Sequence, residues 1–400
     1  MNTDLNPQAA TPPPQSINVA AIERELNALW KDAGSEDEHG GVTRSSVLNL
    51  LVYININGQN SSSEIDEVLT EVTAAHPSRA ILIVADREAT DPGLSAQVIS
   101  RCTLPSATTR QVCCEQVTIL AQGEQVNEVH SAVMPLLLSD LPVYLWWRAV
   151  PPLADKVFTR LAEMSSRVVI DSAIFADPHG DLVGLSLLLR DRPKWTAISD
   201  LNWSRLTAWR HLIAGFYDNA EYRPALNLVN KIVIEYAPAA DHPDKLPARA
   251  VLVAGWMAAR LGWRLDKAVR NKDGADFTFE FLSKTHRVFV EFRASSPVIA
   301  DSGYLTQITL KTDSFAEESQ DILFLIKTSD EGTRLRTSII LGDEVRPGRV
   351  LGYQQLTESE LIGRELEILT RDKVYEQAVL MAGEMLVTLI QTSEEKWSGE

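Results

Sequence analysis

The chain has 400 residues, 45% of them hydrophobic and 23% charged, which is typical of a globular protein of roughly two or three domains. Its net charge of −16 argues against nucleic acid as a partner, because binding phosphates requires an excess of basic side chains. The sequence has no apolar run long enough to span a membrane and no secretory signal at its start, so we expect a cytoplasmic protein without a membrane partner.

The first half alternates predicted strands with predicted helices. It begins with a Pro-rich tail at 1–17, which we expect to be disordered. Repeated strand–helix–strand units predict an α/β domain over 18–222, with a mostly parallel sheet flanked by helices. Strands are predicted at 46–55, 79–86, 96–104, 110–120, 143–148 and 167–172, and helices at 17–33, 63–75, 124–140, 153–164, 180–190 and 199–218.

The second half has a different pattern, with runs of strands followed by helices. This order predicts an α+β domain over 223–400 built on an antiparallel sheet, with the domain boundary near 219–224. Strands are predicted at 226–238, 275–282, 286–292, 303–311, 321–327 and 333–341, and helices at 247–263, 358–370 and 373–391.

No local motif for catalysis or cofactor binding occurs in the sequence. It has no P-loop, no dinucleotide-binding glycine motif after a strand, no nucleophile elbow and no H-E-x-x-H. The strongest polar cluster is Asp177, His179 and Asp181, which could serve acid–base or metal chemistry. The same residue types are the commonest turn formers, so we favour a turn before a helix. We therefore expect no catalytic residue, no cofactor and no metal.

The three cysteines lie on two predicted strands joined by a turn at 105–109. A turn centred between residues 107 and 108 places Cys102 opposite Cys113, with Cys114 pointing to the other face. Two interpretations follow: the cysteines are small buried hydrophobic residues, or they respond to a redox partner such as thioredoxin. We favour the first, because structural disulfides are rare in the cytosol and no C-x-x-C motif is present.

The stretch "LPVYLWWRAVPP" at 141–152 contains two adjacent tryptophans. The period of two in a strand sends Trp146 and Trp147 to opposite faces, so helices should cover both faces of a central strand. Arg148 then lies at the carboxyl end of the strand, where open α/β sheets usually bind ligands. It could meet an anion there or cap a carbonyl.

The predicted helix at 199–218 is rich in tryptophan and arginine. Ser199 or Asp200 is its predicted N-cap, and Arg205 and Trp209 are spaced for a cation–π contact. Tryptophan and arginine are enriched at protein interfaces, but tryptophans of this kind belong to the domain core at least as often. The apolar stripe predicted to face the core is Leu206, Trp209, Ile213 and Phe216.

Together, "LPVYLWWRAVPP" and "SDLNWSRLTAWRHLIAGFYD" resemble the two signature segments of the OpcA family, the glucose-6-phosphate dehydrogenase assembly proteins. The resemblance implies a non-enzyme that binds this dehydrogenase, favours its active oligomer, raises its substrate affinity and so supports NADPH production in the oxidative pentose phosphate pathway. It also implies thioredoxin as a further partner, with Cys102, Cys113 and Cys114 as the candidate redox residues. The candidate motif or interface residues are Trp146, Trp147, Arg148, Asp200, Trp203, Arg205, Trp209 and Arg210.

Two alternatives stay open. The chain could be an enzyme or sensor that binds a sugar phosphate or a nucleotide at the carboxyl edge of the first sheet, with Arg148 on the phosphate. It could also be a scaffold that binds the dehydrogenase without changing its kinetics.

Overall fold

The structure is a computed structural model. The chain splits into two compact units, Met1–Val168 and Val169–Glu400, so the domain boundary predicted near 219–224 falls inside the second unit. The tail predicted at 1–17 and the turn predicted at 105–109 lie outside the described residues. The structure describes residues 19–35, 43–56, 62–103, 112–152, 155–192, 194–239, 242–270, 276–295, 303–315 and 320–397.

The first unit is built on a mostly parallel sheet. Its strand order is β1-β5-β3-β2-β6-β7, with β4 antiparallel to β5 on one side. The strands β2 and β3 are buried along almost their whole length, as their continuous apolar sequence predicts. The strands are β1 (Thr43–Arg44), β2 (Leu48–Asn55), β3 (Ser78–Asp86), β4 (Gly93–Thr103), β5 (Val112–Gln122), β6 (Val143–Trp147) and β7 (Arg167–Ile170), and the helices are α1 (Val19–Ser35), α2 (Ser62–Ala75), α3 (Val129–Val133) and α4 (Lys156–Glu163).

The second unit begins within β7, and the neighbour of β7 in the first sheet is β8 (Ala197–Asp200). The second unit also contains a second sheet, of eight strands. That sheet has the order β10-β11-β12-β9-β13-β14-β15-β16, and all neighbours are antiparallel except β12 and β9. Its strands are β9 (Val229–Tyr236), β10 (Arg264–Arg270), β11 (Phe277–Leu282), β12 (Arg287–Ala294), β13 (Leu305–Phe315), β14 (Gln320–Thr328), β15 (Arg334–Leu341) and β16 (Glu344–Gly352).

The helices of the second unit are α5 (Pro178–Asp191), α6 (Leu201–Arg205), α7 (Thr207–Phe216), α8 (Ala248–Leu261), α9 (Glu358–Glu367) and α10 (Lys373–Trp397). Helix α10 packs on α8 and α5 and on strand β10. The contact with α8 is close at Gly255, where an added Cβ would lie 2.6 Å from the carbonyl oxygen of Ala378. The predicted fold class is confirmed: a mostly parallel α/β sheet is followed by an α+β part with a mostly antiparallel sheet.

Two predicted helices differ from the structure. The segment at 199–218 is not one helix: Ser199 and Asp200 end β8, and Leu206 separates α6 from α7. The segment at 124–140 contains only the short α3 between two 3₁₀ turns, and Pro135 in the second turn lacks the N–H that a longer helix would need. The strands β1, β8, β10 and β16 were not predicted.

Within the residues that the structure describes, no helix has both the length and the apolar character needed to cross a bilayer.

Candidate functional site

Asp200 anchors the signature segment of the second unit. It is the N-cap of α6, as predicted, because its Oδ1 accepts a hydrogen bond from the backbone N–H of Asn202 at 2.9 Å. The same oxygen accepts from the N–H of Ser172 at 2.9 Å, and the Tyr375 hydroxyl donates to Oδ2 at 3.3 Å. Burial, and then the charge of Asp171, raise the pKa of Asp200 to about 6. The buried Asp200 side chain therefore fixes the start of α6 through hydrogen bonds within the core.

Arg205 pairs with a carboxylate and not with an aromatic ring. Its two terminal nitrogens donate to the two oxygens of Asp171, each at 2.8 Å. The predicted cation–π contact between Arg205 and Trp209 is wrong, because the Arg205 guanidinium is bound to Asp171 instead. Trp209 is buried, and its Nε1–H donates instead to the Tyr353 hydroxyl at 3.4 Å.

Arg210 makes the cation–π contact of this segment, with its guanidinium carbon 3.6 Å from the centroid of the Trp203 ring. The Trp203 Nε1–H donates to Asp372 at 2.9 Å, and Asp372 also accepts from the first turn of α10. Burial lowers the pKa of Arg210 to about 10, although Asp372 and Glu365 oppose that shift. Trp203 and Arg210 thus connect α6 and α7 to the start of α10.

A cavity of about 610 Å³ lies in the second unit beside α6 and α7. Arg205 is at its wall together with two further arginines, Arg249 from α8 and Arg364 from α9. No Asp or Glu is among the described residues that line it. The lining residues are Ala173, Ser204, Arg205, Thr207, Ala208, His211, Arg249, Tyr304, Gly352, Tyr353, Gln354, Gln355, Leu356 and Arg364.

The Arg249 guanidinium is hydrogen-bonded through its Nε. Its Nε–H donates to Asn202 Oδ1 at 2.8 Å, and the Asn202 amide in turn donates to Ser172 at 3.0 Å. Burial, and also the charge of Arg205, lower the pKa of Arg249. Sequence reasoning missed Arg249 and Arg364, because each lies on a different helix and no local motif marks them.

In the first unit, the tryptophan segment forms the predicted strand, β6. Trp146 and Trp147 are both buried at 1% exposure, so both faces of the strand are covered. The Trp147 ring stacks on Tyr53 with centroids 3.7 Å apart and meets Phe158 edge-on at 5.0 Å. Arg148 follows the strand, half-buried, with its guanidinium carbon 6.0 Å from the Trp146 ring centroid. A ligand at Arg148 stays a prediction.

The cysteines lie in the predicted register, with Cys102 opposite Cys113 between β4 and β5. Cys113 is disulfide-bonded, so the preference for a buried reduced thiol at this position is wrong. The antiparallel register explains the difference, because it places the two Cα positions directly across from each other. Cys114 is free and buried, and burial raises the pKa of its thiol.

The polar cluster at 177–181 begins α5, as the turn interpretation predicts. Asp181 accepts from the Asp177 N–H at 3.0 Å, and Asp177 pairs with Lys245 at 2.9 Å. His179 Nε2 accepts from the backbone N–H of Leu246 at 2.8 Å. Burial lowers the pKa of His179 to about 4, so the ring is neutral near pH 7.

Two family models match the chain. One, described as the glucose-6-phosphate dehydrogenase subunit N-terminal domain, matches residues 69–196, and the other, described as the C-terminal domain of the same subunit, matches residues 196–379. Both are OpcA models, and together they take in well over half of the chain. The chain belongs to the OpcA family. The family predicted from the two signature segments is therefore confirmed. Apart from Ala173, the residues that line the cavity of this OpcA-family chain lie within the part matched by the C-terminal model.

Curated OpcA proteins of cyanobacteria are similar to the chain. It is 31% identical over 250 residues to a protein of Nostoc punctiforme, and 28% identical over 329 residues to one of Synechocystis, both provisionally named OxPP cycle protein OpcA. The matches cover 62% and 81% of this chain but only 51% and 66% of those relatives. The chain therefore spans half to two thirds of their length.

Among solved structures, aldose-aldose oxidoreductase of Caulobacter crescentus is similar over 87% of this chain and 98% of that chain. The sequence identity is 11% and the TM-score is 0.47, so this likeness says nothing about the function of the OpcA-family chain.

Proposed function

We propose that this chain is a non-catalytic effector of glucose-6-phosphate dehydrogenase that acts in the cytoplasm. The observation that carries the proposal is the match of both family models, since each is described as a domain of a subunit of that dehydrogenase. The relatives are named for the OxPP cycle, and the same pathway is proposed for this chain, where it would support NADPH production.

The proposed mechanism is thermodynamic linkage. The effector binds the active oligomer of the dehydrogenase more tightly than the inactive form, and this difference shifts the enzyme population toward the active form. A tenfold gain in apparent substrate affinity requires a coupling free energy of about 1.4 kcal/mol.

The buried residues of the signature segments serve the fold in this proposal. Trp146, Trp147, Trp203 and Trp209 are each less than 5% exposed, and none of them is among the described residues that line the cavity, so they offer a partner almost no contact area. Their burial supports an interface on other, exposed residues. Thioredoxin is proposed as a second partner, and the disulfide at Cys113 is the element on which it would act.

The test combines binding with kinetics. The chain is mixed with glucose-6-phosphate dehydrogenase of the same organism, the complex is sized by light scattering, and substrate saturation is measured at increasing amounts of the chain. We expect a larger oligomer and a lower KM for glucose 6-phosphate, with an inert protein at equal concentration as the control. A stable complex with unchanged kinetics would indicate the scaffold, and no complex would refute the proposal.

A further inference from the structure

The cavity beside α6 and α7 has a charge opposite to that of the protein as a whole. The chain carries a net charge of −16, yet three arginines and one histidine line this cavity and no carboxylate is among its described lining residues. A concave site with excess positive charge attracts anions, because its walls focus the electric field.

The three arginines differ in how their charges are compensated. Asp171 occupies both terminal nitrogens of Arg205. Arg249 uses Nε on the uncharged Asn202 amide, and in the described part of the chain no carboxylate lies within ion-pair distance of it. Arg364 is exposed, and among the described residues it has no hydrogen-bond or ion-pair partner. In the described part of the chain, neither the Arg249 nor the Arg364 guanidinium forms an ion pair with a carboxylate, although the charge of Asp171 partly offsets that of Arg249.

The size and chemistry of the cavity indicate which anion fits. Guanidinium groups bind phosphate oxygens through paired N–H donors, and two of them match the charge of a phosphate dianion. A volume of about 610 Å³ lies within the usual range for organic ligands and is far larger than one phosphate group requires. Tyr304 and Tyr353, whose ring centroids are 5.9 Å apart, provide an aromatic wall for the rest of the molecule.

We infer that this cavity binds a small phosphorylated organic molecule, with Arg249 and Arg364 on its phosphate and its organic part against Tyr304 and Tyr353. The inference goes beyond the association with a dehydrogenase, because it concerns a ligand of the isolated chain.

Calorimetric titration of the full chain tests the inference, with inorganic phosphate, ribose 5-phosphate, ribose and citrate as probes. We expect inorganic phosphate to bind at millimolar Kd, ribose 5-phosphate to bind more tightly, and ribose not to bind. No saturable binding of either phosphate probe overturns the inference. Tighter binding of citrate also overturns it, because the site would then be a carboxylate site.

Variants locate the binding. Arg364→Ala, at an exposed position, and Arg249→Gln are each expected to weaken the Kd for ribose 5-phosphate at least tenfold. Arg264→Ala removes the same charge from an exposed position outside the cavity and is expected to change the Kd less than twofold. The Tm of each variant without ligand shows whether it is folded. If Arg249→Gln fails to fold, Arg364→Ala decides alone, and an unchanged Kd in that variant overturns the inference.

Discussion

Arg205→Met is expected to destabilise the chain because it leaves the Asp171 carboxylate without its cation. The pair has two N–H···O bonds of 2.8 Å, and its side chains are 12% exposed for Asp171 and 24% for Arg205. Removing one partner of a buried pair costs about 3–5 kcal/mol, and the partial exposure of this pair reduces the expected loss to about 2–3 kcal/mol. The charge of Asp200 is also close enough to act on the same groups, which increases the loss.

A double-mutant cycle separates the pair from the rest of the site. Asp171→Asn combined with Arg205→Met removes both charges, so the double variant is expected to lose about 1–2 kcal/mol less than the sum of the two single losses. The free energy of unfolding is measured by urea titration at pH 7, followed by circular dichroism. Arg264→Met, at an exposed position, is the control for loss of an arginine. A loss below about 0.5 kcal/mol for Arg205→Met, or strict additivity in the cycle, would refute this reasoning.

Three further predictions concern other parts of the chain. The folded-state pKa of His179, about 4, lies below the usual value of this side chain. Its contribution to the free energy of unfolding is therefore present above pH 6.5 and is lost, by up to about 3 kcal/mol, as the pH falls toward 4. Urea titrations of His179→Gln should lack this part of the pH dependence, and a profile identical to that of the unsubstituted chain would contradict the prediction. Because Cys113 is disulfide-bonded and Cys114 is free, alkylation of the denatured chain should label one cysteine without reductant and three cysteines after reduction. Intact mass spectrometry counts the labels, and three labels without reductant would contradict the disulfide. Gly255→Ala should destabilise the chain by about 1–3 kcal/mol and lower the Tm by several degrees, because the new Cβ would meet the backbone of α10. An unchanged Tm would show that α8 and α10 can move apart to admit the methyl group.

Periodicity was sufficient to predict most of the fold. The apolar runs of β2 and β3 and the alternation in β11 and β12 each have one dominant period, and the structure forms the predicted strand in each case. The missed strand β16 is mostly exposed and contains Pro347 and two glycines, so its sequence has no apolar alternation to detect. The break at Leu206 was also missed, because a buried residue fits the helical stripe whether or not the helix continues through it.

The candidate site was much less predictable than the fold. Arg249 and Arg364 lie on different helices, more than a hundred residues apart in the sequence, and reach one cavity only through the packing of the second unit. Asp171, the partner of Arg205, follows the short strand β7 and has no local motif of its own. Positions of this kind need the three-dimensional structure, because they are related by a shared cavity or a side-chain contact and not by a spacing in the sequence.

The signature segment forms part of the cavity wall, whereas the two arginines without an ion-pair partner, Arg249 and Arg364, come from α8 and α9. Asp200 caps a helix, Arg205 is neutralised by Asp171, and Arg210 lies on Trp203, so substitutions at these residues would act first on stability. Arg364 is exposed and has no described partner, so its removal leaves the core contacts in place. A loss of function in a signature variant would thus need a stability measurement before it could be assigned to an interface. A loss of ribose 5-phosphate binding in Arg364→Ala with unchanged Tm would point to the cavity.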